Sequence, residues 1–199
     1  MKCSFFFLRF ILLVWSSVTM QPSGLAESSN NILICDFETL GMVKGWNVSV
    51  SEVKGRNGSG AIQADYQSDK NYGAVVIPIV SNLVSTGSRD SKLLLWLKSD
   101  QPLETFSVTL GHKNGGLYTF NGSGKWRLPV IPSDDEWQEI RLPLADFHWN
   151  RYAGRTAETE AELKLEDISD IRLEFSRGES MDSTAPKISF EDLSVDYVP

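Results

Sequence analysis

Residues 106–120 read Phe-Ser-Val-Thr-Leu-Gly-His-Lys-Asn-Gly-Gly-Leu-Tyr-Thr-Phe, and they carry the clearest structural signal in the chain. Apolar side chains at Phe106, Val108 and Leu110 alternate with small or polar ones, which is typical of a strand with one buried face. The Asn-Gly-Gly that follows predicts a tight turn, and residues 117–120 return as a second strand. The segment therefore predicts an antiparallel hairpin.

Similar short runs occur on both sides of this hairpin, at intervals of about 8–15 residues and separated by Gly, Asn and Asp. This pattern predicts an all-β sandwich of two antiparallel sheets. Residues 156–164 are helix formers without paired apolar positions, so they predict at most a short helix or turn. The predicted strands are 32–37, 48–53, 61–66, 73–80, 93–98, 106–112, 117–120, 125–131, 137–142, 170–176 and 187–197.

The composition is that of an ordinary globular protein, with 41% hydrophobic and 23% charged residues among 199. Its formal net charge is −7. An acidic chain is a poor ligand for nucleic acid or anionic lipid, so neither is expected as a partner.

The first 26 residues have the character of a secretory signal peptide. Lys2 and Arg9 are the only charges before Glu27, and an apolar run up to Trp15 is followed by a polar stretch with small residues. That run is shorter than the roughly 20 residues needed to span a bilayer, and no later segment is apolar enough to do so. We expect cleavage after Ala26 and a secreted or periplasmic protein.

Residues 27–199 then form a single domain, with a charge of −9 because two basic residues are removed. Cys35 is the one cysteine left after Cys3 is removed with the signal, so an internal disulfide is excluded. Packing or a metal ion must supply the stability, and Cys35 is expected to be a buried thiol.

Several short motifs occur in a characteristic order along the chain. They are Cys-Asp-Phe-Glu at 35–38, Gly-Trp at 45–46, the glycine-rich 55–62, Leu-Leu-Leu-Trp-Leu-Lys-Ser at 93–99, and the segments 137–147, 168–175 and 188–195. In this order they resemble jelly-roll carbohydrate-binding modules of the galactose-binding-like fold, which implies the jelly-roll form of the sandwich. The complex I intermediate-associated protein family, an assembly factor, is similar in fold, but its Met-Gly-Gly signature is missing here.

The resemblance also implies a structural calcium ion near the joined termini. Matched residue by residue, Glu38 and Asp192 are its carboxylates, Asp36 is a further candidate, and carbonyls of the 55–60 loop supply neutral ligands. Calcium prefers six to eight such oxygens. The alternative is that all three carboxylates are solvated.

Sugar binding requires aromatic faces beside polar groups. Trp46 and Trp137 match core positions of the resembling family and are expected to be structural. Trp96 alternates with Leu95 and Leu97, so it points either to the core or to an open sheet face. The predicted carbohydrate-binding residues are Tyr72, Trp96, Tyr118, Trp126, Arg127, Trp149 and Tyr152.

No catalytic motif is present: the two histidines, His112 and His148, lie in separate segments, and neither a Gly-x-Ser-x-Gly elbow nor a phosphate loop occurs. The leading hypothesis is a secreted, non-catalytic protein that binds a polysaccharide or glycan with the help of a structural calcium. The alternative is a secreted or periplasmic domain that binds another secreted or envelope protein. A third hypothesis is a polysaccharide-degrading enzyme.

Overall fold

A computed structural model describes most of the chain after residue 29. The described residues are 30–37, 40–67, 70, 72–79, 90–101, 103, 105–120, 136–150, 162–176 and 186–198. The predicted signal peptide, the predicted strand 125–131 and most of the predicted helix 156–164 lie outside them. Residues 162–164 of that segment are described and are not helical.

The described residues form twelve strands and three single-turn 3-10 helices. The strands are β1 (Asn30–Cys35), β2 (Lys44–Trp46), β3 (Val48–Lys54), β4 (Gly60–Tyr66), β5 (Tyr72–Pro78), β6 (Lys92–Ser99), β7 (Thr105–His112), β8 (Leu117–Phe120), β9 (Gln138–Pro143), β10 (Phe147–Trp149), β11 (Ile168–Ser176) and β12 (Lys187–Tyr197).

Two antiparallel sheets of six strands each make a sandwich. The first has the order β3-β4-β12-β6-β9, and β1 pairs with the second half of β12. The second has the order β10-β8-β7-β11-β5-β2. The predicted all-β jelly-roll sandwich of two antiparallel sheets is therefore confirmed. The three-residue strands β2 and β10 were not predicted, because a run of three residues is too short to show an alternating pattern.

The core lies between the sheets and follows the alternation of the strands. In β6, Leu95 and Leu97 are fully buried, as are Val108 in β7 and Leu173 in β11. Burying such a side chain contributes about 1.5–3 kcal/mol each. The residues that alternate with these along each strand face away from the core, so each sheet presents one outward surface.

Between β2 and β3 the chain passes from the second sheet to the first through one residue, Asn47. Its φ is 57°, a left-handed conformation that Asn adopts more readily than most residues. The Asn47 side-chain amide donates a hydrogen bond of 3.1 Å to the carbonyl of Tyr72. This corner therefore fixes β2 beside the start of β5. In the part of the chain that the structure covers, no helix is long and apolar enough to cross a membrane.

Candidate functional site: a groove on the second sheet

A groove of about 450 Å³ follows β5 along the outward face of the second sheet. Its floor is Ala74 and Val76, which are small side chains. The strands on either side of β5 lie about 10 Å apart, two strand spacings, and supply the walls. The groove is lined by Lys44, Trp46, Ala74, Val76, Pro78, Ser169, Asp170, Arg172 and Glu174.

The pairing of the three strands sets which wall residues face each other. Trp46 of β2 pairs with Ala74, which pairs with Glu174 of β11. One row further along, Lys44 pairs with Val76, which pairs with Arg172. An aromatic ring therefore lies across the groove from a carboxylate, and an ammonium lies across from a guanidinium.

Two exposed aromatic side chains stand together at one end of the groove. Trp46 is 54% exposed and Tyr72 is 36% exposed. Their ring centroids lie 5.2 Å apart with an interplanar angle of 72°, an edge-to-face contact. The Asn47 corner holds the backbone of Trp46 beside the backbone of Tyr72. The rings thus form a fixed apolar surface that remains open to solvent.

Arg172 is held in place by a neighbour on its own strand. Its Nε donates a hydrogen bond of 2.7 Å to Oδ1 of Asp170, and the hydroxyl of Ser169 donates to Oδ2 of the same carboxylate at 2.8 Å. Gly111 of β7 makes room for this carboxylate, because a Cβ there would lie 2.3 Å from Oδ2. The guanidinium keeps further N–H groups for a ligand.

Glu174 joins the aromatic end of the groove to the sheet. It accepts a hydrogen bond from the Tyr72 hydroxyl and another, of 3.1 Å, from the hydroxyl of Thr109. Burial raises the pKa of the Tyr72 hydroxyl, and the charge and hydrogen bond of Glu174 raise that pKa further. Tyr72 is therefore a neutral donor, and its ring orientation is fixed by the bond.

Of the predicted carbohydrate-binding residues that the structure describes, only Tyr72 stands at this groove, where it packs against Trp46 at one end. Trp96 faces outward from the first sheet, on the opposite side of the sandwich, and the guanidinium carbon of Arg56 lies 3.6 Å from its ring centroid. The tertiary fold therefore separates two residues that the sequence grouped together. Trp126, Arg127 and Tyr152 lie outside the described residues.

The prediction for Tyr118 is wrong, and Trp149 is only partly available. Tyr118 is 2% exposed, because its pairing with Leu110 of β7 turns its ring into the core. Trp149 packs edge-to-face against Tyr118, with ring centroids 5.1 Å apart. It also lies over Gly116, where a Cβ would be 1.9 Å from the indole ring. These rings pack around the hairpin turn and lie outside the groove.

Trp46 was expected in the core, and this prediction is also wrong, because its side chain is 54% exposed. It lies on a three-residue edge strand, and the side facing away from the core has no covering element among the described residues. Trp137 is half-buried, with Nζ of Lys98 5.9 Å from its ring centroid. Sequence reasoning also missed Arg172 and Glu174, although their alternation with the buried Ile171, Leu173 and Phe175 was visible.

The two predicted calcium ligands that the structure describes, Asp36 and Asp192, do not line the groove, and Asp192 is already bonded to a cation. Asp192 accepts a hydrogen bond of 3.0 Å from Nη2 of Arg56, while Asp36 is exposed. Within the described ranges, no group of three or more His, Cys, Asp and Glu side chains is arranged to hold a metal. Asp192 thus already has a cationic partner, the Arg56 guanidinium. Glu38 is outside the description, and calcium binding stays a prediction.

Comparison with known proteins places this fold among carbohydrate-binding modules. The chain is similar to a family 11 module of the cellulosomal cellulase Lic26A-Cel5E of Clostridium thermocellum, at 16% identity over 86% of this chain and 96% of that one, with a TM-score of 0.61. The chain is also similar to a structure of the family 11 module from that organism in complex with a β-1,3-1,4-mixed-linked tetrasaccharide. The identity is 16% over 84% of this chain and 96% of that one, and the TM-score is 0.60.

A family 30 module of the cellulosomal cellulase Cel9D-Cel44B of the same organism gives 11% identity, 83% and 96% coverage and a TM-score of 0.54. Neither a protein-family model nor a curated protein matches the chain. Identities this low establish the shared jelly-roll fold and nothing finer, so the ligand must be argued from the groove.

Proposed function

We propose that this protein is a non-catalytic binding domain for a polysaccharide or glycan, and that the groove along β5 is its binding site. The observation that carries the proposal is the exposed Trp46–Tyr72 pair beside the fixed polar groups Arg172 and Glu174. A pyranose has an apolar ring face that packs on an aromatic side chain, and hydroxyls around its edge that bond polar groups. The groove offers both within one sheet face.

The charges of the groove favour a neutral sugar. Its two cations, Lys44 and Arg172, are balanced by two carboxylates, Asp170 and Glu174. A polyanion would meet both carboxylates and the overall acidic charge of the chain, which opposes its approach. The family 11 module was solved in complex with a β-1,3-1,4-mixed-linked tetrasaccharide, so we choose mixed-linked β-1,3-1,4-glucan, a neutral polysaccharide, as the first ligand to test.

The decisive experiment replaces Trp46 by Ala and measures binding to soluble mixed-linked β-1,3-1,4-glucan by titration calorimetry and affinity electrophoresis. Loss of a well-placed aromatic contact should weaken binding about tenfold or more, since such anchors contribute at least about 1.4 kcal/mol. Because Trp46 is more than half exposed, the free energy of unfolding of Trp46→Ala should be close to that of wild type.

Trp137→Ala is the matched control, because it removes a half-buried indole near the first sheet. Equal binding by wild type and Trp46→Ala would place the site elsewhere. Absence of binding to a panel of neutral polysaccharides by the wild type would remove the carbohydrate proposal itself.

We also propose that the protein works outside the cytoplasm, after removal of residues 1–26. The support is the charge and apolar pattern of those residues. N-terminal sequencing of the protein recovered from culture medium or periplasm tests this, and Glu27 is the expected first residue. An intact Met1 on exported protein would contradict it.

A second candidate function, binding of another protein, is favoured by a separate surface. Leu33 and Met42 are 54% and 50% exposed and border a groove of about 310 Å³ with Cys35 and Ile77. Exposed apolar side chains that lie together are characteristic of interaction sites. Met42→Ser should leave glucan binding unchanged, and would reduce capture of a partner protein if this surface binds one.

A further inference from the structure

The side of the first sheet facing away from the core carries a buried carboxylate, Glu191, whose side chain is 2% exposed. It pairs with Trp96 across β12 and β6, near the middle of the sheet. An ionised carboxylate in such a place is strongly unfavourable unless it is paired and hydrogen bonded. The question is therefore what compensates its charge.

The 55–60 loop provides the compensation. The backbone N–H and Nε of Arg56 donate to Oε2 of Glu191 at 2.8 and 3.3 Å, and the hydroxyl of Ser59 donates to Oε1. Gly55 allows this close approach, because a Cβ there would lie 2.8 Å from Cδ of the carboxylate. The loop reaches the last strand across 135 positions of sequence.

The guanidinium of Arg56 also binds the next carboxylate, Asp192, through Nη2 at 3.0 Å. Consecutive side chains of a regular strand point to opposite faces. Here the pairing of β12 with β6 is irregular after Glu191, and Asp192 has a φ of 47°. The bulge brings both carboxylates to one guanidinium, which in turn stacks on the Trp96 ring 3.6 Å below it.

We infer that the Arg56 guanidinium supplies the positive charge that joins the 55–60 loop to Glu191 and Asp192. This is the connection for which a calcium ion was predicted. The folded state then needs no calcium at Asp192. The inference is independent of the proposed glycan binding, since the cluster lies on the sheet opposite the groove.

The test is thermal unfolding of wild type, Arg56→Gln and Arg141→Gln, each in excess calcium and in excess EDTA. Arg141 is the matched control, because it also pairs with a carboxylate, Glu139 at 2.7 Å, but is 57% exposed. The wild-type midpoint should be the same in calcium and EDTA. Arg56→Gln should lower the midpoint by roughly 6–15 °C, because it leaves the buried Glu191 carboxylate without an opposite charge beside it. Arg141→Gln should lower it by no more than about 3 °C.

A wild-type midpoint that falls in EDTA, or an Arg56→Gln shift no larger than that of Arg141→Gln, would overturn the inference. If Arg56→Gln does not fold, Arg56→Lys keeps the charge but loses the forked geometry, and should still fold with a lowered midpoint. Glucan binding by folded Arg56 variants, measured well below their midpoints, should equal that of wild type. This last measurement keeps the cluster and the groove distinguishable.

Discussion

At the scale of single residues, Tyr72 links the aromatic and polar parts of the groove. Burial and Glu174 raise the pKa of its hydroxyl above the ordinary value of 10.0. The folded state therefore holds this proton more tightly than the unfolded chain. The resulting stabilisation is present below about pH 10 and is lost as the pH rises above it, because the unfolded chain then releases the proton first.

This predicts that wild type loses stability relative to Tyr72→Phe between about pH 9 and pH 11. Urea unfolding of both proteins across that range is the measurement. Glu174→Gln should reduce the loss, since it removes the charge and keeps an oxygen that accepts the hydrogen bond. Parallel pH profiles for wild type and Tyr72→Phe would contradict the role of the hydroxyl.

At the scale of elements, β11 serves stability with one face and binding with the other. Leu173 is fully buried, and its replacement by Ala should destabilise the protein by about 2–5 kcal/mol through lost contacts and a cavity. Glucan binding by the remaining folded protein should be unchanged, because the outward face is not altered.

Arg172→Gln on the same strand should have the opposite effect. Its ion pair with Asp170 is partly exposed, so we expect a change in stability within about 1 kcal/mol. Affinity for glucan should fall about tenfold, corresponding to one lost charge-assisted hydrogen bond. Urea unfolding together with calorimetric titration separates the two effects. If each substitution changed stability and binding alike, the two faces would not be independent.

At the scale of the whole molecule, the direction of the groove predicts how many sugar units bind. The groove follows β5 from Ala74 to Pro78 between the two neighbouring strands, and the Tyr72 ring extends it at one end. At about 3.3 Å per residue, the distance from Tyr72 to Pro78 is about 20 Å, enough for an oligosaccharide of about four sugar rings. Affinity should therefore rise from the disaccharide to the tetrasaccharide.

Beyond the tetrasaccharide, affinity should level off, because further rings leave the groove. Titration with gluco-oligosaccharides of increasing length, from disaccharide to hexasaccharide, measures this. Trp46→Ala should weaken the longer ligands and flatten the dependence. An affinity already maximal for the disaccharide would argue for a pocket at the Trp46–Tyr72 end, and one still rising at the hexasaccharide would argue for a site running across the strands.

The fold was predictable because strand alternation is a local property of the backbone. Successive side chains must point to opposite faces, so Trp96 had to lie on the face opposite to that of Leu95 and Leu97 before any tertiary contact was known. The alternation left open which of these two faces meets the core. The same rule grouped the inward residues of β7, and those of β11, on one face of each strand. The antiparallel sandwich follows from such strands and the turns between them.

What the alternation could not supply is the environment of each outward side chain. Trp96 and Trp46 both point away from the core, yet one is covered by Arg56 and the other is open beside Tyr72. That difference arises from a loop folding onto a strand 135 positions away, and from the single-residue corner at Asn47.

The sequence by itself thus determined that the chain is a two-sheet sandwich and which side chains of a strand share a face. Only the tertiary structure decided which outward face carries the groove, which aromatic residues are accessible, and which cation stands beside Asp192. The physical reason is range: alternation and turns depend on neighbours along the chain, whereas coverage, pairing and accessibility depend on contacts between segments distant in sequence.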